Sequence, residues 1–401
     1  GFRRFKLGED GADLRVLHVD DMVALKPFEG AANRTSVFVV QRGAPTKYPV
    51  PYTVWTRKKG ASIGMDVALE EAQAATARAN LVAVPVDRTQ ATAPWITARP
   101  NAIKALGRVL GQSNYRAEEG ANTGGANGVY WVRVLSKRAD GLIVIENLHD
   151  IGKKDIPKAP PVAVEPDLVH QLLRGRDVSR WRATPSVYLL IVQDPDQRMG
   201  YDENWMKQQF PATYAYLRQF EPVLSARPLY RKYFNSKSAP FYSMYNVSPH
   251  TFAPYKIVWK YVSVDLTCAV IGTHADPILG EKTIIPDHRL MLVPLENQDE
   301  AHFICALLNS SIANLIVKGY VIGTQISTHI LENISIPKYD SHNPLHQELS
   351  SLSEGAHELA ARGENEVLKE VEGEIDRKAA ELWGITDKEL AEIKHSLAEL
   401  S

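Results

Sequence analysis

The sequence predicts an α+β fold on three observations. Short β-branched runs, LRVLHV at 14–19, SVFVV at 36–40 and LVAVPV at 81–86, are interspersed with helix-forming stretches. Residues 341–401 carry apolar side chains at helical spacing, among them Leu349, Leu352, Ile375, Leu382, Leu390 and Ile393, and read as a helical C-terminal end. The length of 401 residues exceeds one compact domain, so two or three domains are expected.

Taken in order, the runs at 14–19 and 36–40 are bounded by Asp, Gly and Pro and read as core strands of a parallel-type α/β sheet, joined by the turn-rich LKPFEGAANRT. Beyond Gly43, Pro45, Pro49 and Pro51 suit an extended crossing better than a helix, which places a boundary near 43–60 and a linker over 44–60. DVALEEAQAATARA predicts a helix over 66–79, followed by the strand at 81–86 and a second helix near 99–110. The segment GANTGGANGVYWV then runs from a Gly/Asn-rich loop into a strand at 129–135. Gly124, Gly125 and Gly128 allow positive φ or close backbone approach, with Asn122 and Asn127 beside them. This loop either meets a ligand backbone or is a tight turn of the fold. It fails as a dinucleotide fingerprint, because it precedes a strand instead of following one and opening a helix.

Charge divides the chain. Overall, 46 basic and 47 acidic side chains nearly cancel, which excludes a uniformly basic nucleic-acid coat. Residues 168–260 nevertheless hold 13 basic against 6 acidic side chains, and 13 aromatics fall between Phe210 and Trp259. Cations interleaved with rings suit a nucleic acid, since the one neutralises phosphates and the other stacks on bases. The same composition also describes an aromatic-rich core with solvated arginines. Residues 341–401 reverse the sign, with 6 basic and 14 acidic side chains.

Several function classes find no support. Cys268 and Cys305 are too few for a disulfide framework or a four-cysteine zinc site, and point to a reducing cytoplasm. No run approaches the roughly 18 apolar residues of a membrane span, and GFRRFKLGEDG lacks the apolar centre of a signal peptide. The opening on Gly1, with Phe2, Phe5 and Leu7 already at regular spacing, leads to the expectation of an N-terminally incomplete chain. There is no phosphate loop, no HExxH, no GxSxG and no close Cys/His ligand set, so no catalytic or metal-binding residue is assigned. Asp167, Asp196 and Asp287 each follow a proline, yet an acidic-x-Lys partner such as Glu392 with Lys394 lies far downstream, which argues against a magnesium-dependent nuclease.

The runs LRVLHVDDMVALKPFEGAANRTSVFVVQRG, TKYPVPYTVW, GANTGGANGVYWV, LLRGRDVSRW, FPATYAYLRQFEPVLSAR, PYKIVWKYVS, ICALLNSSIANLIV and THILENISIPKYD occur in this order. Individually loose, together they resemble the C-terminal half of adenine-specific DNA methyltransferases of bacterial restriction–modification systems, and the resemblance spans nearly the whole chain. It implies that residues 1–43 are the last strands of a Rossmann-like methyltransferase domain, that 61–340 form a mixed α/β target recognition region, and that 341–401 are its helical end. The implied partner is double-stranded DNA, with a missing N-terminal methyltransferase domain or partner subunit and a possible restriction subunit.

In that family S-adenosylmethionine is held by a glycine-bearing loop, and an Asn/Asp-Pro-Pro-aromatic motif acts on an extruded adenine. Neither string is present here; the nearest, Asn343-Pro344-Leu345, lacks the second proline. The resemblance therefore implies that the donor binds in the complete enzyme and not to this chain alone. Arg174, Arg176, Arg180 and Arg182 are similar in placement to a basic loop of the family, and Arg231, Lys232, Lys237, Lys256 and Lys260 are further candidate DNA contacts. Arginine is the common donor to phosphate oxygens and guanine edges, although each could instead pair with a carboxylate inside the fold, as Arg176 with Asp177. Two rival readings are a specificity subunit without chemistry of its own and a nucleotide- or RNA-processing enzyme using the 120–130 loop.

Overall fold

Val16 and Val19 are buried although three residues separate them, because a bulge between Val16 and His18 shifts the strand by one residue and turns both inward. This strand, β1 (Leu14–Asp21), is joined by β2 (Ser36–Arg42), β3 (Val50–Arg57), β4 (Thr76–Pro85) and β5 (Trp95–Ala98) in a sheet of order β2-β1-β3-β4-β5. The structure, a computed structural model, describes residues 4–7, 11–25, 35–64, 66–90, 92–152, 155–234, 239–321 and 324–400. Of the N-terminal residues singled out above, Phe2 lies outside them, as does the candidate Lys237.

Two expectations change here. The stretch 44–60 is not a linker, since it supplies β3, which pairs in parallel with β1 and antiparallel with β4. Its prolines are accommodated at the start of the strand, where Pro51 faces outward and Val50 is fully buried. Only the β1–β3 contact is parallel, so the sheet is mixed rather than parallel-type. The predicted helix over 66–79 shortens to Leu69–Ala75, and Thr76 begins β4 opposite Arg57. Cross-strand pairing outweighs the high helix propensity of the segment, because a helix this short and exposed is marginal by itself.

The remainder divides between two large hydrophobic cores and a smaller cluster around Leu173, Val258 and Leu292, so the expected single region 61–340 is not one packing unit. One core gathers residues 121–252 with Ile285. It contains a six-stranded sheet in the order Ile285–Pro286, Val169–Leu173, Val187–Leu190, Trp131–Lys137, Ile143–Asn147, Val162–Val164. Short helices between Glu203 and Tyr233 cover it. Glu165 caps one of them, accepting hydrogen bonds from the backbone of Ala212 and Thr213 at the start of Pro211–Arg218.

The other core joins residues 84–115 to 257–393. Its four-stranded sheet, in the order Cys268–Ile271, Tyr255–Lys260, Leu290–Leu295, Glu118–Glu119, packs against helix Gln298–Asn309. Cys268 and Cys305 are fully buried in it as free thiols. Three C-terminal helices, Pro344–Arg362, Asn365–Leu382 and Asp387–Glu399, complete this core with the expected apolar stripes. Their ends are written in the sequence: Asn343 caps the first, Gly363 terminates it at φ +75°, and Thr386 with Glu389 forms a capping box for the third. The acidic tail is clamped to basic residues of the body, with Glu389 2.6 Å from Arg108 and Glu399 2.6 Å from Arg99. Among the described residues no single helix is long and apolar enough to cross a membrane, and the apolar pair Gln298–Asn309 and Ser311–Tyr320 is buried within this core.

Candidate nucleic-acid interface

The arginine cluster lies on a small hairpin in which Val178–Ser179 pairs with Arg182–Ala183. Its tip, Arg180–Trp181, is not presented to solvent. Trp181 adopts φ +62° and is 1% exposed, and its indole Nε1 donates to Glu372 Oε1 at 2.7 Å. A left-handed tryptophan costs about 1–2 kcal/mol. Burying an indole contributes roughly 4–6 kcal/mol by area, so the tip stays inserted.

That geometry sorts the four arginines. Arg174 is buried, with Nε 3.2 Å from Asp177 Oδ2 and Nη2 donating to Ser186 Oγ at 2.6 Å. The carboxylate expected beside Arg176 thus belongs to Arg174. Arg180 lies 2.5 Å from Glu372 and donates to the carbonyl of Asn309. Both are drawn into the fold, which corrects their assignment as DNA contacts. Arg176 and Arg182 are exposed and have no side-chain partner among the described residues, and the hydroxyls of Ser179 and Thr184 are exposed beside them.

Lys256 is corrected in the same way. It is 1% exposed and donates to the carbonyls of Ala253 and Ile284, and burial pushes its ammonium down to about 7. Lys260 is half-buried at the end of its strand, whereas Arg231 and Lys232 are exposed on helix Pro228–Tyr233. Most of the aromatics form core: Tyr216, Tyr242 and Trp259 are fully buried, and Tyr230, Phe234 and Phe241 nearly so. Tyr233 is the exception, 46% exposed with the Lys232 ammonium 4.8 Å above its ring.

The Gly/Asn loop serves the fold. Asn122 pairs with Tyr245 through two backbone hydrogen bonds and its Oδ1 accepts from the Gly124 amide, while Asn127 Oδ1 accepts from Thr123 Oγ1. Gly124 sits at φ +68°, and a Cβ there would stand 3.1 Å from the Tyr245 ring and 3.4 Å from Arg227 Cδ. Arg227, which sequence reasoning passed over, is fully buried and donates to the carbonyls of Thr123, Leu224, Phe241 and Ser243. Gly125 is exposed at φ +89°. Arg227 and Tyr245 thus fill the space over Gly124. The strand expected at 129–135 begins only at Trp131, because Asn127–Tyr130 turns as a short helix to reach this node.

Tyr245 also lines a cleft of about 430 Å³. Glu118, Glu119, Arg198, Asn246, His250 and Phe234 are among its other lining residues. Arg198 and Asn246 both hold left-handed backbone, at φ +54° and +52°, and Asn246 Nδ2 donates to Glu119 Oε2 at 2.9 Å. The turn string DPDQRMG could have marked Arg198 as a presented cation. The cleft itself had no sequence signal, since its walls come from segments far apart in the chain.

No family model and no curated protein matches this chain. Two solved structures are similar to it at low identity. A Type IIL restriction-modification enzyme, MmeI, in complex with DNA aligns with TM-score 0.47 and 8% identity, over 96% of this chain and 46% of that one. The type IIG restriction endonuclease BpuSI aligns with TM-score 0.32 and 14% identity, over 95% of this chain and 45% of that one. This chain thus spans less than half the length of either.

Proposed function

We propose that this chain is the DNA-recognition part of a restriction–modification system. The observation that carries the reading is the sorting of the arginines. On a hairpin anchored by a buried tryptophan, Arg174 and Arg180 are held internally, and Arg176 and Arg182 are exposed without a side-chain partner among the described residues. Two guanidiniums and two hydroxyls on a rigid support suit phosphate and base-edge contacts, which need fixed geometry more than reach. Arg198, Arg231 and Lys232 add a second group of exposed cations near the Tyr233–Tyr245 rings. The ordered motifs of the sequence support the same reading.

On that resemblance, the recognised site is one at which adenine is methylated from S-adenosylmethionine, and a catalytic unit bearing the cofactor loop and the Asn-Pro-Pro-aromatic motif performs the transfer. The exposed apolar side chains Val37, Val39 and Val40 on edge strand β2 support a contact surface for such a unit. The reading is tested by gel-shift titration of duplex DNA at increasing salt. Affinity should fall linearly on a log–log scale with a slope of about −0.9 per neutralised phosphate. A flat response, or no binding at low salt, would overturn it.

A further inference from the structure

We propose that the cleft between Glu118, Arg198 and Tyr245 holds one unstacked nucleotide of a DNA strand. The inference deepens the DNA-recognition reading and rests on it. Its volume of about 430 Å³ suits a single nucleotide and is too small for a protein helix or a base pair. The face of the base, its exocyclic amine and the phosphate each find a counterpart. Tyr245 and Phe234, with ring centroids 4.8 Å apart, form an aromatic wall on which a base can stack, and Tyr233 meets Tyr245 edge-on from outside. The Glu118 carboxylate is exposed and without a hydrogen-bond partner among the described residues, so it is free to accept from an exocyclic amine. Arg198 is likewise exposed and unpaired, on a hairpin where Asp194 pairs with Met199, and is placed to meet a phosphate.

Among the described residues the Tyr245 hydroxyl, shielded from water, has no hydrogen-bond partner, which native structures rarely tolerate. Both Arg198 and Asn246 are held in left-handed backbone at the rim, and strain of this kind gathers where ligands bind. A paired base is unavailable to such a slot, so the nucleotide it accepts is bulged, mismatched or extruded.

The test compares three probes on the full chain: a paired duplex, the same duplex with one unpaired adenine or thymine, and free deoxyadenosine monophosphate. The adenine-bulged duplex should bind about tenfold more tightly than the paired one, and more tightly than the thymine-bulged one, which lacks the amine. Tyr245→Ala should abolish the bulge preference and Tyr245→Phe should keep it. Glu118→Ala, which keeps the backbone pairing of strand Glu118–Glu119 with Leu292 and removes an exposed carboxylate without a hydrogen-bond partner among the described residues, should erase the preference for adenine over thymine. Equal affinity for bulged and paired duplexes, with duplex binding intact, overturns the pocket and leaves the DNA-recognition reading standing. Absence of binding to every duplex overturns both. Binding of the free nucleotide without any bulge preference overturns the assignment to a DNA strand.

Discussion

Arg180 of the hairpin and Glu372 of the C-terminal helix Asn365–Leu382 lie 2.5 Å apart, and the same carboxylate oxygen accepts the indole N–H of Trp181. The basic middle of the chain and its acidic tail therefore meet at this point. One glutamate anchors the tip of the hairpin that presents Arg176 and Arg182.

Glu372→Ala should thus act at a distance. It removes the carboxylate beside the Arg180 guanidinium, which keeps only the Asn309 carbonyl, and leaves the buried indole N–H of Trp181 unpaired, at a cost of about 2–3 kcal/mol. A denaturant titration should show this loss, and duplex affinity should fall with it although residue 372 does not touch DNA. Unchanged stability would mean that the clasp does not hold the hairpin.

The basic candidates should separate cleanly by burial. Arg176→Ala and Arg182→Ala should leave stability within about 0.5 kcal/mol. A phosphate contact would lower the salt slope of duplex binding by about one, and a base-edge contact would cost about 1–3 kcal/mol at one target position. Arg174→Ala, which takes the guanidinium from Asp177 and leaves its carboxylate with only the Ser186 hydroxyl and the backbone amide of residue 174, should instead cost about 1–3 kcal/mol of stability. Lys256→Met should leave the salt slope unchanged, because a 1% exposed ammonium reaches no phosphate. Duplex binding unaltered in both the Arg176 and Arg182 variants would remove the hairpin from the interface.

Arg227 should prove the most sensitive position of the 120–128 loop. Arg227→Ala leaves the carbonyls of Thr123, Phe241 and Ser243 without a donor and opens a cavity between the rings of Tyr130 and Tyr230, costing about 3–5 kcal/mol. Gly124→Ala meets positive φ and the Tyr245 ring together and should cost about 1–2 kcal/mol. Thermal melts of the two variants, read against Gly125→Ala at an exposed site, would check the order.

Acid should destabilise the core around His302 and His357. His357 Nδ1 donates to the Ser353 carbonyl while its Nε2 accepts from the Val270 amide, so a second proton has no place. Burial lowers the pKa of His357, and lowers that of His302 to about 3, with the neighbouring His357 ring adding to the effect. For a histidine with a depressed folded pKa, the unfolded chain takes up the proton first. Stability is therefore full above the unfolded value near 6.5 and declines as pH falls from there toward 3. Asp287 works in the opposite sense between about 6 and 4, since burial raises its carboxyl to about 6. Denaturant midpoints across this range should fall toward acid, and His302→Gln should flatten the slope; a midpoint independent of pH would refute the account.

The order of elements, the helical end and its caps were legible in the sequence because each depends on neighbours a few residues away. Asn343 before Pro344, Gly363 after Arg362 and the Thr386–Glu389 box carry their geometry locally. The concentration of cations in 168–260 and of carboxylates in 341–401 was equally plain. What the sequence could not decide was which of those cations face water. Arg174 and Arg176 are two residues apart, yet the first is closed onto Asp177 and Ser186 and the second is exposed. Strand β3 reads as a proline-spaced crossing until β1 and β4 pair with it. The Gly124 loop reads either as a ligand contact or as a tight turn until Arg227 and Tyr245 pack on it from more than a hundred residues downstream. Burial and pairing are properties of contacts distant in sequence, and only the folded chain brings those partners within hydrogen-bonding range.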